Sequence, residues 1–340
     1  MPQSGNVLIT ICGLKGYGDY YEITEKLTAS FLAVIIIVSA FSSASALGFE
    51  DKYLIGDVNL DGNVDILDVT YIQKHMARIS VLTSDALAKA DTDYNTRVDI
   101  KDATHIQKIL AKLYIPLTGK KGVDISKHNG DVDMKKIKAA GYDFVMIRCG
   151  FGDDSTSQDD KMFETNVKKC EDANMPWGVY LYSYALSTKE AESEVSHTLR
   201  LLKGKKPTLP IAFDMEDADG YKSKNGMPSN EQLVKICKTY LKGIKDAGYY
   251  PILYASLSWF KNKLNDEDLL SSYDVWLAQW NDECTYKGDT IGIWQYGGET
   301  NYIDGNSIDG VGVIDKDFCY KDYPLLIKNQ GYNGWTIEEN

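Results

Sequence analysis

The chain is poor in the residues that build the common metal and thiol centres. Its 340 residues include four scattered histidines and six cysteines with no C-x-x-C pair among them. Zinc sites of the usual kinds therefore have no ligand set. Cys12 precedes the apolar run described next, and the remaining cysteines, Cys149, Cys170, Cys237, Cys284 and Cys319, are odd in number and lack paired spacing. At least one stays single or pairs between chains, and the role expected of them is that of small buried hydrophobes. Positive charge is short as well: 37 Lys and Arg against 49 Asp and Glu leave a net charge of -12, which argues against nucleic acid as a partner. Long apolar runs are also wanting. The run Phe31 to Phe41 follows Lys26 and precedes the small-x-small pattern Ala44-Ser45-Ala46. It is shorter than the roughly 20 residues a membrane-spanning helix needs. Residues 1–46 therefore read as a signal peptide cleaved after Ala46, with secretion and no permanent membrane anchor as the expectation.

What is present in excess is carboxylate, and it is placed non-randomly. Asp57-Val-Asn59-Leu-Asp61-Gly62-Asn63-Val64-Asp65-Ile-Leu-Asp68 returns further along the chain as Asp91-Thr-Asp93-Tyr-Asn95-Thr96-Arg97-Val98-Asp99-Ile-Lys-Asp102. Each copy runs into a helical stretch, and Ile-Gln-Lys recurs in both at the same offset. Side-chain oxygens at positions 1, 3, 5, 9 and 12, with a backbone carbonyl at position 7 (Asn63 or Arg97), suit the six to eight oxygens of a hard Ca²⁺ ion. So many carboxylates in a dozen residues repel one another unless a cation neutralises them. Two structural calcium ions are expected. The second loop carries Thr96 where the first has Gly62, at a turn that favours glycine, so the second site is expected to be the weaker.

Position 12 is Asp rather than the Glu of an ordinary EF-hand, and a single helix follows each loop. In these features residues 55–115 resemble the duplicated segment of type I dockerins, small all-α calcium-binding modules. That resemblance implies a cohesin domain on a scaffold protein as partner, read by Ile66, Leu67, Ile100 and Lys101.

Length suits a large domain beside this small one. The expected organisation is a dockerin over 53–116, a linker over 117–121, a large domain over 122–325 and a tail over 326–340 without assigned role. From Gly122 onward, apolar strand-like runs (Phe144–Arg148, Gly178–Tyr184, Leu209–Met215, Pro251–Ala255, Val275–Gln279, Ile291–Tyr296, with shorter ones near Val123 and Val311) alternate with amphipathic helices. Ser187-x-x-Glu190 and Ser229-x-x-Gln232 read as capping boxes. Such alternation predicts an α/β fold, a parallel (β/α) barrel that turns irregular in its last third.

In such barrels chemistry gathers at the C-terminal ends of strands. Asp124, Asp214, Glu216 and Asp315 end or follow strand-like runs. Asp214 and Glu216 share a face, about 6.6 Å apart along the strand, where each raises the other's pKa so that one keeps a proton while the other ionises. That division of labour is what glycoside hydrolysis requires. Aromatics at or near strand ends, Tyr180, Tyr182, Tyr184, Tyr254, Trp276, Trp280, Trp294 and Tyr296, are suited to stacking on sugar faces.

Gly122-Val-Asp124-Ile-Ser, Asp214-Met-Glu216, Pro251-Ile-Leu-Tyr254, Val275-Trp276-Leu-Ala-Gln279, Ile293-Trp294-Gln295-Tyr296 and Val313-Ile-Asp315 fall in the order seen in glycoside hydrolase family 25, which residues 121–322 resemble. The resemblance implies an incomplete barrel that cleaves the β-1,4 bond after N-acetylmuramic acid in peptidoglycan, with retention and no catalytic cofactor. It further implies Glu216 as general acid/base and Asp214 as nucleophile or as stabiliser of an intermediate closed by the substrate's acetamide. Asp124 and Asp315 would be supporting acids, and Tyr180, Tyr182, Tyr254, Trp276, Gln279 and Trp294 would contact substrate. Asp317 departs from the family, whose members often carry Asn there. A chitinase-like barrel would need further Asp residues at 209 and 212, where Leu209 and Ala212 stand. The alternatives are a non-catalytic wall-binding module and a glucosaminidase on the same cleft.

Overall fold

A computed structural model describes residues 54–337; the signal-peptide assignment lies outside the described residues. The first module contains three helices, α1 (Ile66–Met76), α2 (Ser84–Ala90) and α3 (Ile100–Leu110). Asp65 and Asp99 cap α1 and α3, with Asp68 and Asp102 closing the capping boxes. Each position-12 carboxylate thus lies where its loop meets its helix. Val69, Ile72, Ala103 and Ile106 from α1 and α3 form the module's small core, with Val64 and Val98 packed against it. Helix α2, capped by Thr83, was not foreseen from the loop-helix repeat.

The large domain is a closed eight-stranded barrel. Its elements run β1 (Lys120–Ile125), α4 (Met134–Ala139), β2 (Phe144–Phe151), α5 (Phe163–Asp172), β3 (Trp177–Tyr182), α6 (Thr188–Leu202), β4 (Ile211–Asp214), α7 (Tyr221–Asn225), α8 (Asn230–Asp246), β5 (Pro251–Ser256), α9 (Leu257–Asn262), α10 (Glu267–Ser272), β6 (Asp274–Ala278), β7 (Ile291–Gly297), the small hairpin β8 (Ser307–Ile308) and β9 (Gly312–Val313), β10 (Asp315–Cys319) and α11 (Tyr323–Asn329). Strands β1 to β7 are parallel in sequence order. No helix joins β6 to β7, and β10 closes the barrel antiparallel to both β7 and β1. The expected irregularity therefore takes the form of a reversed final strand. That strand begins at Asp315; Val311, placed near a strand by its sequence, lies in the turn of the hairpin.

Strand alternation divides the core in two. One set of side chains, including Val145, Ile147, Val179, Leu181, Ile211 and Phe213, faces the helices. There it meets the stripe Leu233, Ile236, Cys237, Tyr240, Leu241 and Ile244 of α8, with Phe213 and Tyr240 stacked at 3.9 Å between centroids. The other set, Phe144, Met146, Tyr180, Ala212, Ile252, Trp276 and Ile293, fills the barrel interior. Ser187 and Ser229 cap α6 and α8 by accepting from the backbone of Glu190 and Gln232. Cys149, Cys170, Cys237 and Cys319 are buried without disulfides.

The structure is continuous across two of the expected boundaries. The segment 117–121 is not a spacer: Leu117 is buried, Thr118 donates to the Tyr320 carbonyl at 2.6 Å, and Lys120 and Lys121 already belong to β1. The segment expected as a tail without assigned role, 326–340, begins inside α11, which spans Tyr323–Asn329. Beyond that helix Asn333 is fully buried, donates to the carbonyls of Pro207 and Leu209 and accepts from Tyr250 N at 2.9 Å. These partners precede β4 and β5, so the segment closes the N-terminal end of the barrel.

Candidate active site

Following the interior set one step further along each strand leads out of the core and into an open cleft of about 410 Å³ at the other end of the barrel. Met146 is followed on the same face by Arg148, Tyr180 by Tyr182, Ala212 by Asp214 and then Glu216, Ile252 by Tyr254, and Ile293 by Gln295. These residues line the cleft with Asp124, Tyr180, Trp276, His128, Glu299 and Asp315. All four expected acids are thereby brought together. Asp315 reaches the group by a route the sequence reading did not contain: it starts a strand rather than ending one. Because β10 runs antiparallel, its first residue pairs in register with Asp124 at the end of β1.

Burial dominates the electrostatics. It pushes Glu216 up to about 7 and Asp315 up to about 6, with the charge of Glu299 adding to the rise at Asp315. Asp214 is driven well above the usual carboxylate range by burial and then by the charge of Glu216; Asp124 rises likewise through burial and its neighbours Asp315 and Asp317. One Asp214 oxygen, Oδ1, has no hydrogen-bond partner among the described residues. Two cations oppose these shifts. Arg148 donates to Asp160 at 2.8 Å while a second guanidinium nitrogen is buried without a partner. Lys222, on α7 and 1 % exposed, donates to the carbonyl oxygens of Ser183 and Glu216. Both lower Asp214, and Lys222 lowers Glu216 as well.

Four of the six expected substrate contacts, Tyr180, Tyr182, Tyr254 and Trp276, line the cleft; Gln279 and Trp294 do not. Trp294 has the wrong parity. It points at the helices, fully buried, and donates to the Gln279 carbonyl at 2.8 Å. The Gln279 side chain is occupied by the backbone and hydroxyl of Thr285, fixing the turn after β6. The residue that does face inward from that motif is Gln295. Its amide donates to Asp124 Oδ2 at 2.8 Å and its oxygen accepts from Tyr254 and Trp280, each at 3.0 Å. Among the other aromatics, Tyr184 stacks on Tyr221 at 4.2 Å between centroids beside the cleft, and Tyr296 is fully buried and donates to Asp304.

Gln295, Arg148 and Lys222 were missed by sequence reasoning. Arg148 carried a signal, a charge in an otherwise apolar strand, whereas Lys222 sits in a five-residue helix with no pattern to mark it. The Asp317 departure has a physical reading. The side chain is fully buried, Oδ1 accepts from Trp276 Nε1 at 2.8 Å and Oδ2 has no partner among the described residues, and burial pushes the carboxyl well above the usual range. A neutral acid presents one acceptor oxygen, as an asparagine would.

In the acidic loops, carboxylate oxygens of Asp91, Asp93 and Asp102 lie within 4.8 Å of one another. That is about twice a Ca–O bond of 2.3–2.6 Å, so the second loop fits a calcium ion. Asp91 is pushed up to about 6 by burial and by the charges of Asp102 and Asp93. In the first loop Asp57 is instead ion-paired with Lys89 of α2 at 2.9 Å, while Asn59 donates to Asp61 at 2.8 Å. Asp68 and Asp102 accept backbone N–H groups of their own loops, from Val58 and Thr92, and Asp65 and Asp99 cap the helices. Asn63 and Arg97 occupy position 7, with Asn95 at position 5 of the second loop bonded to Asp91 through its backbone N–H. Thr96 adopts the left-handed φ of 68° that its place in the turn demands. Ile66, Leu67, Ile100 and Lys101 are exposed.

Comparison with known proteins agrees with this division of the chain. The sequence profile of glycosyl hydrolases family 25 matches residues 123–305, and that of the dockerin type I domain matches residues 55–111. An autolytic lysozyme of Clostridium acetobutylicum is 24% identical over 203 residues, 58% of this chain and 55% of that protein. The modular autolysin LytC of Streptococcus pneumoniae, solved with a synthetic peptidoglycan ligand, is similar with a TM-score of 0.50 and 29% identity over 58% of this chain and 46% of its own. A family 25 glycosyl hydrolase from Bacillus anthracis shares the fold at a TM-score of 0.50, with 20% identity over 65% of this chain and 96% of its own. The chain spans about half the length of the lysozyme and of the autolysin. Among the described residues no helix is long and apolar enough to cross a membrane.

Proposed function

Since more than half of this chain is matched by glycosyl hydrolases family 25 and it belongs to that family, we propose that it is a retaining muramidase, cleaving the β-1,4 bond between N-acetylmuramic acid and N-acetylglucosamine in peptidoglycan. The observation that carries the reading is the convergence of Asp124, Asp214, Glu216 and Asp315 on one cleft, with Glu216 raised to about 7. At neutral pH Glu216 holds a proton to give to the leaving oxygen and returns as base when water attacks. Asp214, where Lys222 and Arg148 oppose the rise that burial and the charge of Glu216 impose, would face the developing positive charge as nucleophile or as stabiliser of an acetamide-closed intermediate. Asp124 is oriented by the Gln295 amide, and Asp315 adds negative potential across the cleft. Tyr182, Tyr254 and Trp276 supply the walls against which sugar rings lie. Family membership and the converging acids weigh against a wall-binding module without catalysis.

The acidic loops would hold two calcium ions as structural centres, with Asp57, Asn59, Asp61, Asp65 and Asp68 in the first, and Asp91, Asp93, Asn95, Asp99 and Asp102 in the second. The ions would neutralise the carboxylates and fix the turns. The exposed residues Ile66, Leu67, Ile100 and Lys101 would meet a cohesin, placing a secreted enzyme on an extracellular scaffold.

The test is mass spectrometry of products released from purified peptidoglycan, with reducing ends labelled. Muramic-acid reducing ends are expected. Glucosamine reducing ends would make the enzyme a glucosaminidase, and no products from several walls would revive the binding-module reading.

A further inference from the structure

The two halves of the dockerin are built on one repeat, yet they differ at two positions whose side chains touch the barrel domain. Position 4 of the first loop is Leu60, 45% exposed; the same position of the second loop is Tyr94. Ser80 follows the first repeat's helix, and its counterpart after the second repeat's helix is Tyr114. Both tyrosines converge on Asp322, the residue that caps α11. Tyr94 Oη accepts from the Asp322 backbone N–H at 2.9 Å, and Tyr114 donates to Asp322 Oδ2. The Tyr94 ring packs on the apolar cluster that holds Leu117, Cys319 and Tyr323. From the other side α11 and the residue after it grip the loop itself: Asn329 donates to the Asp93 carbonyl at 3.3 Å and Gln330 to the Tyr94 carbonyl at 3.0 Å. Those two carbonyls belong to positions 3 and 4 of the second acidic loop, between Asp91 and Asn95.

From this we propose that the surface formed by Asp322, Asn329 and Gln330 is an interaction site whose partner is the dockerin of the same chain, and that the second acidic loop brackets the barrel in a calcium-dependent way. The inference rests on the calcium-dockerin reading above. An ion held by Asp91, Asp93 and Asp102 keeps the loop in the turn that presents these carbonyls and the Tyr94 ring; without it the crowded carboxylates push the loop apart and the contacts with α11 go with it. Because α11 leads into the segment that closes the N-terminal end of the barrel, loosening the loop loosens the enzyme. Ile66, Leu67 and Ile100 remain exposed, so a cohesin-reading surface stays available while the bracket is closed. The dockerin is then a fixed arm rather than a swinging tether.

The experiment is differential scanning calorimetry of the chain from residue 47, with calcium and with EDTA, alongside titration calorimetry to count ions. The comparison variant restores the first repeat's residues, Tyr94→Leu with Tyr114→Ser. In the unaltered chain EDTA should lower the barrel transition by roughly 4 °C, the scale of a few lost hydrogen bonds in a domain of this size. In the variant two ions should still bind, but the barrel transition should sit near the EDTA value and no longer respond to calcium. Two bound ions with a barrel transition indifferent to EDTA in the unaltered chain would overturn the bracket while leaving the calcium reading intact. No calcium binding at all would overturn both.

Discussion

The chain crowds carboxylates in two places and relieves the crowding differently in each. In the cleft, Asp124, Asp214, Glu216 and Asp315 are withdrawn from water at the mouth of the barrel, and burial raises all four toward holding a proton while Arg148 and Lys222 pull against the rise at Asp214. In the acidic loops Asp57, Asp68 and Asp102 are buried and the other carboxylates are partly or fully exposed, and several of their oxygens accept backbone N–H groups or cap helices. Even with those bonds made, oxygens of Asp91, Asp93 and Asp102 stay close enough together to be spaced for a metal. Desolvation favours the neutral acid and therefore proton chemistry, whereas a partly hydrated oxygen cluster favours a hard cation. The same residue type does two jobs because one set sits at strand ends aimed into a barrel and the other in turns that fold back on their own carboxylates.

The comparison breaks most visibly at Glu216. Replacing it with Gln removes the proton donor and should lower turnover on peptidoglycan by at least about 10³-fold while leaving wall binding in place; retention of most of the hydrolysis would remove the acid assignment. The same variant reports on stability with a definite sign. The folded-state pKa of Glu216 is raised from 4.5 to about 7. Its stabilising contribution is thus complete below about 4.5 and is lost as pH rises through about 7. Glu216→Gln should therefore melt above the unaltered chain at pH 8, by roughly 5 °C, and the gap should close as the pH falls to 4.5. Thermal melts across that range check it.

Next in size is Lys222. It is faced by Asp214, Glu216 and Asp217, by Glu194 of α6 and by Cys237 of α8. Lys222→Met removes a cation that lowers both cleft acids, so the basic limb of the pH–rate profile, set by Glu216, should move upward by about one unit, while the accompanying rise at Asp214 leaves less of it ionised and should cost roughly tenfold in rate on the acidic side. A loss of rate with an unmoved limb would leave Lys222 a purely structural role.

The sequence made the carboxylate positions legible because both patterns are local: a short tandem repeat of acidic loop and helix, and a strand ending in Asp-x-Glu. What it obscured depends on long-range geometry. Trp294 and Gln295 are neighbours in one motif, and a register shift near the start of the β6–β7 pairing determines how their strand meets its neighbour. Only the assembled sheet shows that Gln295 faces Asp124 while Trp294 faces the helices. Asp315 looked like the end of a parallel strand because a reversed final strand has no signature in a short run. The closing segment around Asn333 was equally silent, since its partners at 207, 209 and 250 lie far away in sequence.

Within the loops the comparison sharpens further. Sequence alone ranked the second site the weaker, on Thr96; the structure adds that the first loop has its Asp57 paired with Lys89, while the second brings three carboxylates together. Thr96→Gly relieves the left-handed backbone and should tighten calcium at the second loop by roughly fivefold, the equivalent of about 1 kcal/mol. Titration calorimetry resolves a change of that size. An unchanged affinity would mean that the turn carries no strain felt by the ion. Asp317→Asn should produce the smallest effect, within about twofold in rate, because burial already pushes this acid toward its neutral form; a large change in rate would show that it ionises during the reaction.

The central claim, that the cleft holds its carboxylates through protons and uses one of them as a general acid, is tested most directly by the pH dependence of kcat/KM on soluble peptidoglycan fragments. The rate should fall as pH rises through an apparent pKa near 7, the value to which burial lifts Glu216. A rate constant that stays level to about pH 9 would contradict it.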